Sequence, residues 1–215
     1  MSTFTPSINF SGARGSNTGD QFHELWALQL VLDLLRPETD LKAVGVEGVR
    51  TETPPQNAGN PTWDGVDCTL YYGGTTLETA DQIEFAQLKY SAANPETVWS
   101  VARLTANTAK KGNNSVIRKM ADDFKGAKAR IKQGVQLKIR LISNQDLSAE
   151  LKKALDTRWS VPLEISDIDQ ATIANLKCLN ASAGLAVTEF QDFLETLDFS
   201  ECGAQSRFAV REKVV

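Results

Sequence analysis

Asp67, Gln87 and Lys89 are the residues whose types and spacing could do chemistry together. Asp67 lies in the run Asp64 to Tyr72, where Val66, Cys68 and Leu70 alternate with Asp67, Thr69 and Tyr71. Gln87 and Lys89 lie in the run Ile83 to Tyr90, and both runs read as strands. If Gly73-Gly74 opens the loop of a hairpin and Tyr72 pairs with Gln82, Asp67 falls opposite Gln87. The period of two adds Lys89 to that face, while Val66, Cys68, Leu70, Ala86 and Leu88 line the other. Asp67 and the Gln87 side-chain oxygen are hard donors suited to Mg²⁺ or Mn²⁺, and the Leu88 carbonyl could be a third ligand. Lys89 could orient or deprotonate a water and steady charge on a phosphate. Glu47, late in an earlier strand, could add the negative charge that Gln87 lacks, and Glu24 and Gln21, one turn apart on a helix, could close the pocket. The same spacing also fits a solvated strand face, because one Asp and a Gln-x-Lys form a short, degenerate pattern.

The elements that must position these residues are readable from periodicity. Residues 1–17 are polar and rich in Ser, Gly, Asn and Thr, which predicts a loop or tail. Thr18-Gly19-Asp20-Gln21 reads as a capping box opening a helix that runs to about Arg36, with apolar residues around most of its cylinder. Such a helix is expected between layers or at an oligomer contact. Strands follow at Ala43–Val49, Asp64–Tyr72 and Ile83–Tyr90, then helices at Pro95–Lys110 and Ser115–Ile131, and a strand at Val135–Ser143. Ser148–Arg158 reads as a helix and Val161–Ile165 as a short strand. Asp169–Ser182 and Thr188–Leu197 read as two helices. The organisation expected is one α/β domain: a tail (1–17), a core (18–165) and a C-terminal helical extension (166–215) whose apolar faces could meet a second copy.

Composition excludes several chemistries. The chain has 215 residues with 41% hydrophobic and 23% charged, proportions that argue against wholesale disorder. A single histidine, His23, removes mechanisms and zinc sites that need two. Cys68, Cys178 and Cys202 are widely separated and fit reduced, mostly buried thiols. No apolar run reaches membrane-spanning length and no secretory signal is visible, which predicts a soluble, cytoplasmic protein. Gly12, Gly15 and Gly19 lack the Gly-Lys-Ser/Thr of a phosphate loop, and Trp63, Trp99 and Trp159 read as packing residues.

Charge is unevenly spread. Arg103 to Arg140 holds eleven basic residues opposed only by Asp122 and Asp123, a net +9; with 23 basic and 27 acidic residues overall, the remainder carries −13. That segment could track a phosphate backbone, with Lys110, Lys111, Arg118 and Lys119 as candidate DNA contacts. Equally, it could be a solvated helix face paired with the acidic remainder.

The order of these blocks resembles the restriction-endonuclease-like superfamily with the PD-(D/E)xK motif. More closely, it is similar to the endonuclease effector domains of bacterial antiphage systems, those of CBASS and those joined to Avs- and NACHT-type NTPases. Gly15 to Leu35 resembles the family's opening Gly-x-x-x-Gly-x-x-Gln helix. Val46-Glu47, Asp64-Gly65-Val66-Asp67 and Gln87-Leu88-Lys89 resemble its active-site blocks, Leu141-Ile142-Ser143-Asn144 its strand ending in Ser-Asn, and Phe190–Phe199 its late helix. The resemblance implies a core of helix, three-stranded antiparallel meander, helices and a further strand. It also implies metal at Asp67 and Gln87, a catalytic Lys89, and Mg²⁺ or Mn²⁺ as cofactor. Gln87 stands where an acid is commoner, a variant of Mrr-like members, so metal affinity leans on Glu47, and either Asp64 or Asp67 could be the main ligand. The function implied is a low-specificity double-stranded DNA endonuclease of antiphage defence, activated by homo-oligomerisation. A sensor or NTPase domain would control it, beyond Val215 or on another chain. The alternatives are a catalytically silent nucleic-acid-binding or oligomerisation module of the same fold, and an Mrr-like nuclease with its own sequence recognition.

Overall fold

Runs of alternating and continuous apolar residues build one sheet here, and helices cover both its faces. The computed structural model describes residues 11–52, 63–157 and 168–204. The elements are α1 (Ser11–Asp33), β1 (Leu41–Val46), β2 (Cys68–Tyr72), β3 (Gln82–Lys89), α2 (Val101–Thr105), α3 (Val116–Lys128), β4 (Gln136–Ser143), α4 (Ala149–Thr157), α5 (Gln170–Ala183), α6 (Val187–Thr196) and β5 (Leu197–Asp198). The strands form a five-stranded mixed sheet in the order β1-β2-β3-β4-β5. β1, β2 and β3 pair antiparallel, β4 lies parallel to β3, and β5 parallel to β4. A parallel pair needs a crossover, which α2 and α3 supply.

Each sheet face carries its own core. Phe22, Trp26, Ala27 and Leu30 of α1 cover Cys68, Leu70, Ala86, Leu88 and Ile142. On the other face Tyr71, Ile83, Phe85, Ile139 and Leu141 pack with Ile117, Met120 and Phe124 of α3, Leu176 of α5 and Phe193 of α6. Burial from both sides explains why Ile83 to Leu88 is buried without a break. Val66, expected to share a face with Cys68 and Leu70, belongs to the other core because it precedes β2 in a turn.

Several expectations are corrected. α1 starts at Ser11, not Thr18. The capping box is a local preference of about 1 kcal/mol, whereas a continuing helix gains a backbone bond per residue. β1 stops at Val46, because Glu47 takes a left-handed φ of 53°. β2 starts only at Cys68, after a turn in which Val66 N–H donates to the Trp63 carbonyl (3.0 Å). The predicted helix Pro95–Lys110 shrinks to Val101–Thr105, capped by the Ser100 hydroxyl. Beyond it, Asn107 and Asn114 side chains accept bonds from the N–H groups of Thr108, Ala109 and Asn114, which competes with helix formation.

The C-terminal helices are built into the larger core. Ile173, Leu176, Leu179, Phe190, Phe193, Leu194 and Leu197 are all buried within the chain. They therefore offer no spare apolar face for a second copy. On α1 Leu28, Val31 and Leu32 remain exposed, as does Leu35 in the turn after it. The predicted strand Val161–Ile165 and Trp159 lie outside the described residues. Among the described residues, no helix is long and apolar enough to cross a membrane.

Candidate functional site

The β2–β3 register places the candidate residues. Tyr72 pairs with Gln82 and Cys68 with Ala86, the register that puts Asp67 and Gln87 at the same end of the hairpin. At that end the ladder changes hands. Asp67 N–H donates to the Ala86 carbonyl (3.0 Å), and the Asp67 carbonyl accepts from Glu47 N–H (2.8 Å). The Asp67 carboxylate then takes the place of a strand partner: its Oδ2 accepts the Leu88 N–H at 2.6 Å. Lys89 Nζ stands 3.9 Å from the same oxygen. Asp67 therefore ties the end of β1, the start of β2 and the end of β3 together while half-exposed.

Gln87 is only 2% exposed, and its Oε1 has no hydrogen-bond partner among the described residues. An oxygen left so is costly unless something else satisfies it. Burial pushes the Lys89 ammonium down from its ordinary value; Asp67 opposes that shift and Lys119 adds to it. Burial, with the negative charges of Asp67 and Glu47, pushes the Cys68 thiol up to about 12, so it is no nucleophile.

Other predicted residues are placed differently. Glu47 follows β1 rather than lying in it; its side chain is exposed and near enough for its charge to act at Cys68. Glu24 and Gln21 are exposed on α1, which covers the opposite face of the sheet from Gln87. Beside the apolar α1 residues packed on β3, the polar His23 also reaches it, with Nε2 3.0 Å from the Leu88 carbonyl. A carbonyl oxygen only accepts, so Nε2 carries the proton. The Leu88 carbonyl, expected as a metal ligand, thus already serves His23.

The four candidate DNA contacts lie in different surroundings. Lys110 and Lys111 are exposed on the loop before α3. Arg118 pairs with Asp122 (2.9 Å) and packs its guanidinium against Gly184. Lys119, half-buried, has its backbone and Cβ packed against Gly65 and is close enough to act electrostatically on Lys89. Elsewhere in the basic segment Lys128 pairs with Asp192, Arg130 with Glu78, Lys138 with Glu84, and Arg140 with Glu84 and Glu201.

Two residues of this neighbourhood escaped the sequence reading. One is His23. The other is Asp123 of α3, which is 2% exposed and leaves its Oδ2 without a hydrogen-bond partner. Its signal was legible: Asp123 falls in the helical stripe of Ile117, Met120, Ala121, Phe124 and Ala127, where an acid has no reason to be solvated.

Among the described residues, no group of three or more His, Cys, Asp and Glu side chains is placed to hold a metal ion. The donors that Asp67 and Gln87 bring are nonetheless of the hard oxygen type, and the unpartnered Gln87 Oε1 fits a divalent cation of that class. No protein-family model and no curated protein matches the chain.

Proposed function

We propose that this chain is a metal-dependent endonuclease for double-stranded DNA, hydrolysing phosphodiesters with a metal-activated water. The observation that carries this reading is the convergence of Asp67, the unpartnered Gln87 Oε1 and the partly desolvated Lys89 on the end of one hairpin. The order of elements, a helix, an antiparallel meander, crossover helices and a parallel strand, agrees with the restriction-endonuclease-like core that the sequence resembles. Asp67 and Gln87 would hold Mg²⁺ or Mn²⁺, which supplies polarisation of the phosphoryl oxygen and a more acidic water. Lys89 faces the developing charge. An approaching phosphate favours its ammonium form, so the strand end supplies a positive charge where negative charge grows. Asp67 keeps Lys89 aligned, and the Leu88 peptide fixes Asp67 in turn.

The role as an effector of antiphage defence, under a sensor or NTPase domain in cis or in trans and working as a cytoplasmic oligomer, rests on the resemblance. Among the described residues, the exposed Leu28, Val31 and Leu32 of α1 are the apolar surface we assign to self-association.

A second reading has its own observation in favour. Asp67 already accepts a backbone N–H and closes the β2–β3 ladder, which is a structural task. A catalytically silent nucleic-acid-binding module of this fold would use it for that alone. Incubating supercoiled plasmid with the chain and Mg²⁺, Mn²⁺ or EDTA decides between them. Nicking that needs the metal and disappears in Lys89→Ala supports the nuclease. Intact plasmid across protein and metal concentrations, with retained DNA binding, supports the silent module.

A further inference from the structure

Asp123 stands behind the candidate site, on the helix packed against the turn that delivers Asp67. Gly65 is packed directly on its carboxyl, with the Gly65 backbone N–H near enough to favour the ionised form, while Oδ2 stays buried without a partner. Gly65 lies so close that a methyl group on it would fall onto the Asp123 carboxyl and press on the Lys119 backbone. Only glycine fits that approach. The turn so pinned runs Trp63–Val66, closed by Val66 N–H on the Trp63 carbonyl, and Asp67 follows at once.

We propose that Asp123 is a positioning residue, holding the Gly65 turn against α3 so that the Asp67 carboxylate meets the Leu88 N–H and Lys89. The chain of contacts is continuous: Asp123 to Gly65, the turn to Asp67, Asp67 to the β3 end. Charge is not what the role requires. The site needs an acceptor for Gly65 N–H in a space too dry for water to substitute, and a neutral carboxyl or an amide provides one. A hydrophobe of similar volume does not.

The effect on cleavage rests on the nuclease reading, but the positioning does not, so two readouts separate them. The first is amide hydrogen exchange at Leu88 in the full chain, followed by NMR. The second is plasmid nicking with Mg²⁺ or Mn²⁺. Asp123→Asn keeps the acceptor, and it is expected to retain Leu88 protection and to cleave within about twofold of the parent. Asp123→Leu is expected to exchange at Leu88 at least tenfold faster and to lose at least tenfold in kcat, with little change in KM for DNA. If Asp123→Leu fails to fold, Gly65→Ala strains the same contact from the other side and is expected to accelerate exchange at Leu88. Leu88 protection at the parent level in folded Asp123→Leu or in Gly65→Ala overturns the proposal. A parent chain that never nicks, alongside a Leu88 amide that still depends on Asp123, refutes the nuclease and leaves the positioning role standing.

Discussion

Asp67 is asked to do two things, and substitution separates them. Its carboxylate is the acceptor for the Leu88 N–H. Asp67→Ala is therefore expected to cost about 1–3 kcal/mol of stability, the penalty of a buried donor left unmatched, as well as removing cleavage. Lys89→Ala removes a half-exposed partner 3.9 Å away, so its stability cost is expected to stay below about 1 kcal/mol while cleavage disappears. Urea denaturation of the two variants measures this asymmetry; equal costs would mean that the Leu88 bond contributes nothing. Asp123 carries a pH signature of its own. Burial pushes its carboxyl up to about 7; the Gly65 N–H opposes that, Asp122 and Asp64 reinforce it, and Lys119 opposes it. A carboxyl raised in the folded state contributes stability that is fully present below its unfolded value near 3.9 and is lost as pH rises through 7. Relative to Asp123→Asn, the parent is expected to lose on the order of 4 kcal/mol between pH 4 and 7. A parallel pair of stability curves would show that Asp123 ionises as an exposed carboxylate does.

Elements whose cause lies in their own side chains are legible in the amino-acid sequence. β4 alternates apolar and polar residues and lies at Gln136–Ser143, one residue from its expected start. α5 has Asp169 as its N-cap, accepting from Thr172 N–H, and Gly184 in left-handed conformation as its stop. The β2–β3 register follows from a turn and a period of two. Features that tertiary contact decides are not legible in the same way. The turn before β2 exists because Gly65 nests on α3. Glu24 reads as a site residue by sequence order, but order does not say which face of the sheet a helix covers. The β3–β4 junction offers an element-scale check. Glu84, 6% exposed, accepts from Arg140 at 2.7 Å and lies 3.7 Å from Lys138. Glu84→Gln leaves Arg140 half-buried with Glu201 as its remaining carboxylate, and is expected to cost roughly 3 kcal/mol, the scale of a broken buried pair. Thermal unfolding measures it; an unchanged midpoint would show that the pair sits in effectively bulk water.

At the scale of the whole molecule, the +9 segment does not act as one body of charge. Folding spreads it over both sheet faces and hands much of it to the acidic remainder. Arg118, Lys128, Arg130, Lys138 and Arg140 are held by carboxylates, and Arg103 by Gln145 and the face of Trp99. Lys110, Lys111, Lys119, Lys125 and Lys132 are the basic residues of the segment without a carboxylate partner among the described residues; Lys119 is near enough to act on Lys89, and Lys125 donates to the Gly184 carbonyl. Each neutralised phosphate of B-DNA contributes about −0.9 to the slope of log K against log salt. Eleven contacts would give a slope near −10, whereas five give about −4 to −5. Anisotropy titrations of a labelled duplex over a series of salt concentrations are expected to return the shallower value. Reversing Lys110 and Lys111 to Glu should lower affinity for every duplex sequence alike and reduce the slope by about 2, since both lysines leave the contact set. A slope steeper than about −7 in the parent would mean that the paired arginines leave their carboxylates on binding, and these ion pairs would then be a resting arrangement of the DNA face rather than part of the fold.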